Sequence, residues 1–116
     1  MGKSIFAEKS DYEVYGSFLE GDEDALEVLV ERFGNSLTLY IDGYIHDVHE
    51  AEDLMIDLFA YLIAKRPRIR EGGVKAYLYK AARNLAIRCA QKRRRSLRAW
   101  APRAAIILTA SRRTTA

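Results

Sequence analysis

Cysteine is almost absent from this 116-residue chain. Cys89 stands alone, which excludes a disulfide framework, and only His46 and His49 could join it as soft ligands, too few for a structural zinc site. Proline and glycine are scarce, with two and seven residues, and a hydrophobic share of 49% argues against wholesale disorder. No apolar run reaches the ~18–20 residues a membrane span needs. The opening residues, Met1-Gly2-Lys3-Ser4-Ile5-Phe6, have no signal-peptide core and lack the Ser or Thr a myristoylation motif requires. Also missing are a nucleophile–base constellation, a phosphate-cradling loop and a convincing carboxylate pair. No catalytic residue, metal or cofactor is therefore expected. His46, His49 and Asp53 fall at helical spacing, but two histidines at a helix start without further ligands read as solvated polar residues. The length fits one domain in the reduced cytoplasm, with no membrane contact.

Acidic residues are missing from one half of the chain, and this is more informative than the overall charge of +3. Residues 1–60 hold three basic and fifteen acidic side chains, a net −12. Residues 61–116 hold sixteen basic ones and a single acid, Glu71, a net +15. Two electrostatic surfaces with different partners follow, and the basic one suits a polyanion.

Every patterned segment reads as helix. Ser10-Asp11-Tyr12-Glu13 is a capping box that opens a short helix with Tyr12, Tyr15, Phe18 and Leu19 on one side. Gly21 ends it, and Asp22 caps a second helix over residues 23–45. Leu26, Leu29, Val30, Phe33, Leu37, Tyr40, Ile41 and Tyr44 form its core stripe, and Gly34 and Gly43 weaken it locally. Asp47, with Glu50 three residues on, caps a third helix that stops before Pro67. A basic loop marked by Pro67, Gly72 and Gly73 leads to a fourth helix over about residues 74–95. Residues 96–116 show no helical period and read as a flexible basic tail. Within it only residues 105–109 look strand-like, with nothing to pair against. The fold class is all-α: a compact bundle of one short and three longer helices over residues 10–95, preceded by an arm over residues 1–9.

Two helical faces are left over after the core is assigned. On the third helix Ala51, Leu54, Met55, Leu58, Tyr61 and Leu62 form an inward stripe, whereas Ile56, Phe59 and Ile63 point away from it beside Glu52 and Asp53. Such a strip, apolar at its centre with an acidic rim, suits docking of a basic helix; the competing reading is a central helix covered on both sides. On the fourth helix Val74, Leu78, Ala81, Ala82, Leu85 and Cys89 pack inward. Lys80, Arg83, Asn84, Gln91 and Arg94 face out, flanked by Tyr77 and Tyr79 and followed by Lys92-Arg93-Arg94-Arg95. Cations for phosphates, an amide for a base edge and phenol rings for unpaired bases make this a nucleic-acid face.

Three blocks in register resemble one family. Residues 24–33, Asp-Ala-Leu-Glu-Val-Leu-Val-Glu-Arg-Phe, are similar to the opening helix of region 2 in bacterial sigma factors of the extracytoplasmic-function group. Residues 50–59, Glu-Ala-Glu-Asp-Leu-Met-Ile-Asp-Leu-Phe, resemble that family's most recognisable stretch, usually Asp-Ala-Glu-Asp-Leu-Val-Gln-Glu-Val-Phe. Residues 75–86 running into Lys92-Arg93-Arg94-Arg95 resemble its promoter-recognition helix. Ile56 stands where the family usually has Gln, Asp57 where it has Glu, Tyr77 where it has Trp, and Arg88 at a usually acidic position.

The resemblance implies that the domain binds the clamp helices of the polymerase beta-prime subunit and recognises and melts the minus-ten promoter element by capturing unpaired non-template bases. It places clamp binding on Glu52, Asp53, Ile56, Asp57 and Phe59. It places DNA contacts on the loop with Arg68 and Arg70, on Tyr77, Tyr79, Lys80, Arg83 and Asn84, and on Lys92, Arg93 and Arg94. An anti-sigma factor is a further partner of such domains. The 21 residues after Arg95 show no helix-turn-helix of the kind that binds the minus-thirty-five element, so a region 2 domain without region 4 is expected. Two other readings stay open at this point: a non-initiating module that binds polymerase or an anti-sigma factor, and an unrelated small helical nucleic-acid-binding protein.

Overall fold

Each of the first three helices begins where a side-chain oxygen can hold its free backbone N–H groups. The computed structural model describes residues 5–114, as α1 (Asp11–Leu19), α2 (Glu23–Ile45), α3 (Val48–Lys65) and α4 (Val74–Thr114). Before α1 the Glu13 N–H donates to Ser10 Oγ at 3.2 Å, and the Ser10 N–H donates back to Glu13 Oε1 at 3.3 Å, closing the capping box. Asp22 accepts from the Asp24 N–H at 2.9 Å and Asp47 from the Glu50 N–H at 3.2 Å. Gly21 adopts φ +100, a value only glycine takes without strain, and lets the chain reverse between α1 and α2. His46 and Arg66 close α2 and α3 in the left-handed conformation, each donating its N–H back to a helical carbonyl, Asp42 and Leu62 respectively.

Helix α2 is the centre of the bundle and packs against α1, α3 and α4. Leu29, Leu37 and Ile41 are fully buried along it, joined by Tyr15 of α1, Leu58 and Leu62 of α3, and Leu78 of α4. Burial of this apolar surface is what stabilises helices that would be marginal in isolation. Small residues set two close approaches. A side chain at Gly34 would meet Val30 and Met55, so α3 lies directly over it. Ala82 and Ala86 are fully buried, which brings α4 against the bundle.

Of the expected arm over residues 1–9, the first four lie outside the described residues. The rest is anchored: Phe6 is buried, and Arg32 donates to its carbonyl at 2.6 Å while bridging Asp11 at 3.0 Å. The larger correction is at the other end. The fourth helix does not stop near Arg95 but continues to Thr114, 41 residues in all, through the segment expected to be a flexible tail. Residues 94–97 are all exposed, so the helix leaves the bundle there. At about 1.5 Å per residue its length accounts for most of the 70 Å long axis. The reason is cooperativity. The segment is rich in Ala and Arg, and adding such residues to a helix already nucleated by packing costs little, which offsets the break that Pro102 would otherwise make. Residues 105–109 likewise continue the helix, since a lone strand has no ladder partner. Residues 115–116 lie outside the described residues.

Candidate functional site

Helix α3 is held on both sides, by α2 and by α4, and that decides which of its expected contact residues reach solvent. Ile56 is 58% exposed and Ile63 47%, with Glu52, Asp53 and Asp57 exposed around Ile56. This is the apolar strip with an acidic rim. Phe59 does not belong to it. Only 4% of Phe59 is exposed, and it is part of the core. Phe59 lies one helical turn beyond Met55, which faces Gly34 of α2, so the α2 contact widens the buried arc far enough to take it in. Tyr61, expected in the inward stripe, is instead 51% exposed.

Tyr61 faces the first residues of α4 across a cleft of about 350 Å³. Asp57, Leu58 and Tyr61 form the α3 wall; Tyr77, Lys80, Ala81, Asn84, Leu85 and Arg88 form the α4 wall. Burial, and after it the neighbouring Tyr61 phenol, pushes the Tyr77 hydroxyl above its ordinary value. The cleft therefore has two aromatic rings, two cations, one amide and one carboxylate around an apolar floor. Asp57, expected on the polymerase strip, lies where the two faces meet. Sequence reasoning missed Tyr61 and Arg88 as lining residues. Spacing could have found Arg88, one turn beyond Asn84, whereas the exposure of Tyr61 depends on how α4 lies against α3.

The other flank of α4 faces α2. Tyr79 packs edge-on against Tyr40, with ring centroids 5.0 Å apart, and Tyr40 packs edge-on against Tyr44 at 5.5 Å. The Tyr40 and Tyr44 hydroxyls lie 3.5 Å apart. Their hydrogen bond raises the Tyr40 hydroxyl above its usual value and lowers that of Tyr44, which the Arg83 guanidinium lowers further. Between the two flanks Lys80, Arg83 and Asn84 are exposed, and α4 carries no acidic residue.

The loop before α4 holds Arg68 and Arg70 exposed, on a backbone tied down from α1: the Tyr15 hydroxyl donates to the Pro67 carbonyl. Burial, with Tyr77 adding to it, pushes that hydroxyl up to about 12. Arg66 donates to the Leu19 carbonyl at 3.1 Å and lies over the Phe18 ring. Beyond the cleft Lys92 and Arg94 are exposed. Arg93 is turned inward. It donates to the Ile45 carbonyl at 3.0 Å and to Asp47 Oδ2 at 3.1 Å, satisfying the end of α2 and bracing the cap of α3. The Glu50 N–H, and then Arg93, hold the Asp47 carboxyl below its usual range. The fourfold basic run is thus divided between structure and surface.

Among the described residues no group of three or more His, Cys, Asp or Glu could hold a metal, and no helix is long and apolar enough to cross a membrane. No curated protein and no solved structure matches the chain. A family model does: the one described as Sigma-70 region 2 matches residues 29–104, which take in most of α2, all of α3, the basic loop and the first three quarters of α4. The all-helical fold agrees with that match, and the chain belongs to the sigma-70 region 2 family.

Proposed function

We propose that the chain is the polymerase- and promoter-binding domain of a sigma factor of the extracytoplasmic-function type. The observation that carries this reading is the cleft between α3 and α4. Its volume falls in the range of small-ligand sites, roughly 300–1,000 Å³. It offers Tyr61 and Tyr77 for stacking, Lys80 and Arg88 for phosphate, and Asn84 for a base edge. An unpaired base of the non-template strand fits those groups, whereas a base inside a duplex cannot reach between two helices. Lys92, Arg94, Arg68 and Arg70 hold the flanking backbone.

The strip around Ile56 is the second half of the proposal. Its apolar centre and acidic rim of Glu52, Asp53 and Asp57 suit the clamp helices of the polymerase beta-prime subunit, and an anti-sigma factor that silences the domain would mask the same residues. Phe59 supports the strip from within the core and makes no contact of its own. The function is binding and melting rather than catalysis, in the cytoplasm where polymerase and promoter meet.

The test is co-purification with core polymerase followed by promoter-dependent run-off transcription. Wild type should bind and initiate; Ile56→Glu should lose polymerase with its folding unchanged; Tyr61→Ala and Asn84→Ala should keep polymerase and lose affinity for single-stranded promoter DNA. Polymerase binding without any initiation would make the chain a non-initiating interaction module, and no polymerase binding would overturn the reading.

A further inference from the structure

Tyr40 and Tyr44 were expected in the core stripe of α2, yet Tyr44 is 39% exposed and Tyr40 only partly buried. A bundle this size has no need to hold a phenol ring at its surface by two successive edge contacts. That arrangement fixes the ring: Tyr79 braces Tyr40 at 5.0 Å, and Tyr40 braces Tyr44 at 5.5 Å. Beside Tyr44 the backbone is bare, since a side chain added at Gly43 would meet nothing within 4 Å. Arg83 adds a cation next to the phenol, and no acid on α4 opposes it. An immobilised aromatic face with open space and a cation beside it is what stacking on a nucleobase requires, and pre-fixing the ring lowers the entropy lost on binding.

We infer that Tyr44, braced by Tyr40 and Tyr79, is a second stacking platform for single-stranded DNA, on the opposite flank of α4 from the cleft. A strand with one base in the cleft crosses the outward ridge of α4 over Lys80 and Arg83 and lays a further base on Tyr44. The two platforms are separated by the width of one helix, about 10–12 Å with side chains. The ridge between them supplies phosphate contacts in the gap. This inference rests on the reading of the cleft as a base site and adds a direction to it: the strand runs across α4 rather than along it.

The experiment is a length series of thymidine oligomers, from about two to about ten nucleotides, titrated against the full chain at fixed salt. Tyr44→Ala and Tyr44→Leu should weaken the longest oligomer roughly 5- to 100-fold and leave the shortest unchanged, because only a long strand reaches both platforms. Tyr44→Phe, which keeps the ring, should bind like wild type. The Leu variant separates stacking from packing, and its thermal unfolding midpoint should stay near that of wild type. Three outcomes overturn the platform. One is unaltered long-oligomer binding by Tyr44→Leu while Tyr61→Ala is weakened, which leaves the cleft standing. Another is an equal loss at all lengths, accompanied by a fall in the unfolding midpoint, which makes Tyr44 a packing residue. The last is no binding of any oligomer by wild type, which removes cleft and platform together.

Discussion

Helices α3 and α4 lie side by side and each turns outward a face the bundle does not need, but the two faces are suited to binding by different physics. The α3 strip has Ile56 at its centre and acids around it, so its affinity would come from apolar burial, with charge selecting the partner. The α4 ridge has cations and an amide at its centre and phenol rings on its flanks, so its affinity would come from released counterions and stacking. One face should tolerate salt and the other should not. The contrast also shows how exposure is decided. On α3 two neighbours compete for one helix, and residues one turn apart, Phe59 and Ile56, end in opposite environments. On α4 the outward residues follow the helical period closely until Arg93, which the adjoining helix ends claim.

The largest expected effect breaks or confirms the division on α3. Phe59→Ala should destabilise the fold by about 3–5 kcal/mol, as for a large aromatic removed from a core, while Ile56→Ala should stay within about 0.5 kcal/mol of wild type in urea unfolding. Equal losses would place both residues in the core and remove the strip. The next pair sharpens the division of the basic run. Arg93→Ala should cost about 1 kcal/mol through its bond to the Ile45 carbonyl and leave the salt dependence of single-strand binding unaltered. Arg94→Ala should leave stability unchanged and flatten the log-affinity against log-salt slope by roughly 0.7, whereas Asn84→Ala, being uncharged, should not change that slope. Interchanged outcomes for the two arginines would reverse their roles.

Gly34→Ala should stabilise the chain by about 0.5–1 kcal/mol, because the new methyl meets Val30 at 3.5 Å and Met55 at 3.9 Å, ordinary contacts, and alanine favours helix. A loss of stability would mean that α3 sits tighter on α2 than these distances indicate. The smallest effect is a pH dependence. Tyr15 is held at about 12 against an ordinary 10, so the folded state keeps a proton the unfolded state releases. Its contribution is complete below pH 10 and falls away as pH rises through about 12. Urea midpoints measured across that window should fall more steeply for wild type than for Tyr15→Phe.

Ser10, Asp22 and Asp47 fixed three helix starts, because a cap needs only a local oxygen and a local N–H. The charge split and the three blocks carried the family, and the apolar period named Leu29, Phe33, Leu37 and Ile41 of α2 and Val74, Leu78 and Ala82 of α4 as core, since amphipathic spacing is a property of one helix, although Val30 and Tyr44 of the same α2 stripe are exposed. The extent of α4 was less legible, because continuing a helix past its packed half depends on the turns already formed rather than on any signal within residues 96–114. The layout of the candidate site came from the packing of the helices. Phe59 became core because the α2 side of α3 is covered, Tyr61 became a cleft wall because α4 leaves a cleft beside it, and Arg93 became a structural clamp because the ends of α2 and α3 meet beneath it. Tyr40, Tyr44 and Tyr79 form one cluster although 35 positions separate Tyr44 from Tyr79 in the chain. A helical period gives each residue an angle about its own axis, but burial depends on what stands at that angle, and that is set by the crossing of helices remote in sequence.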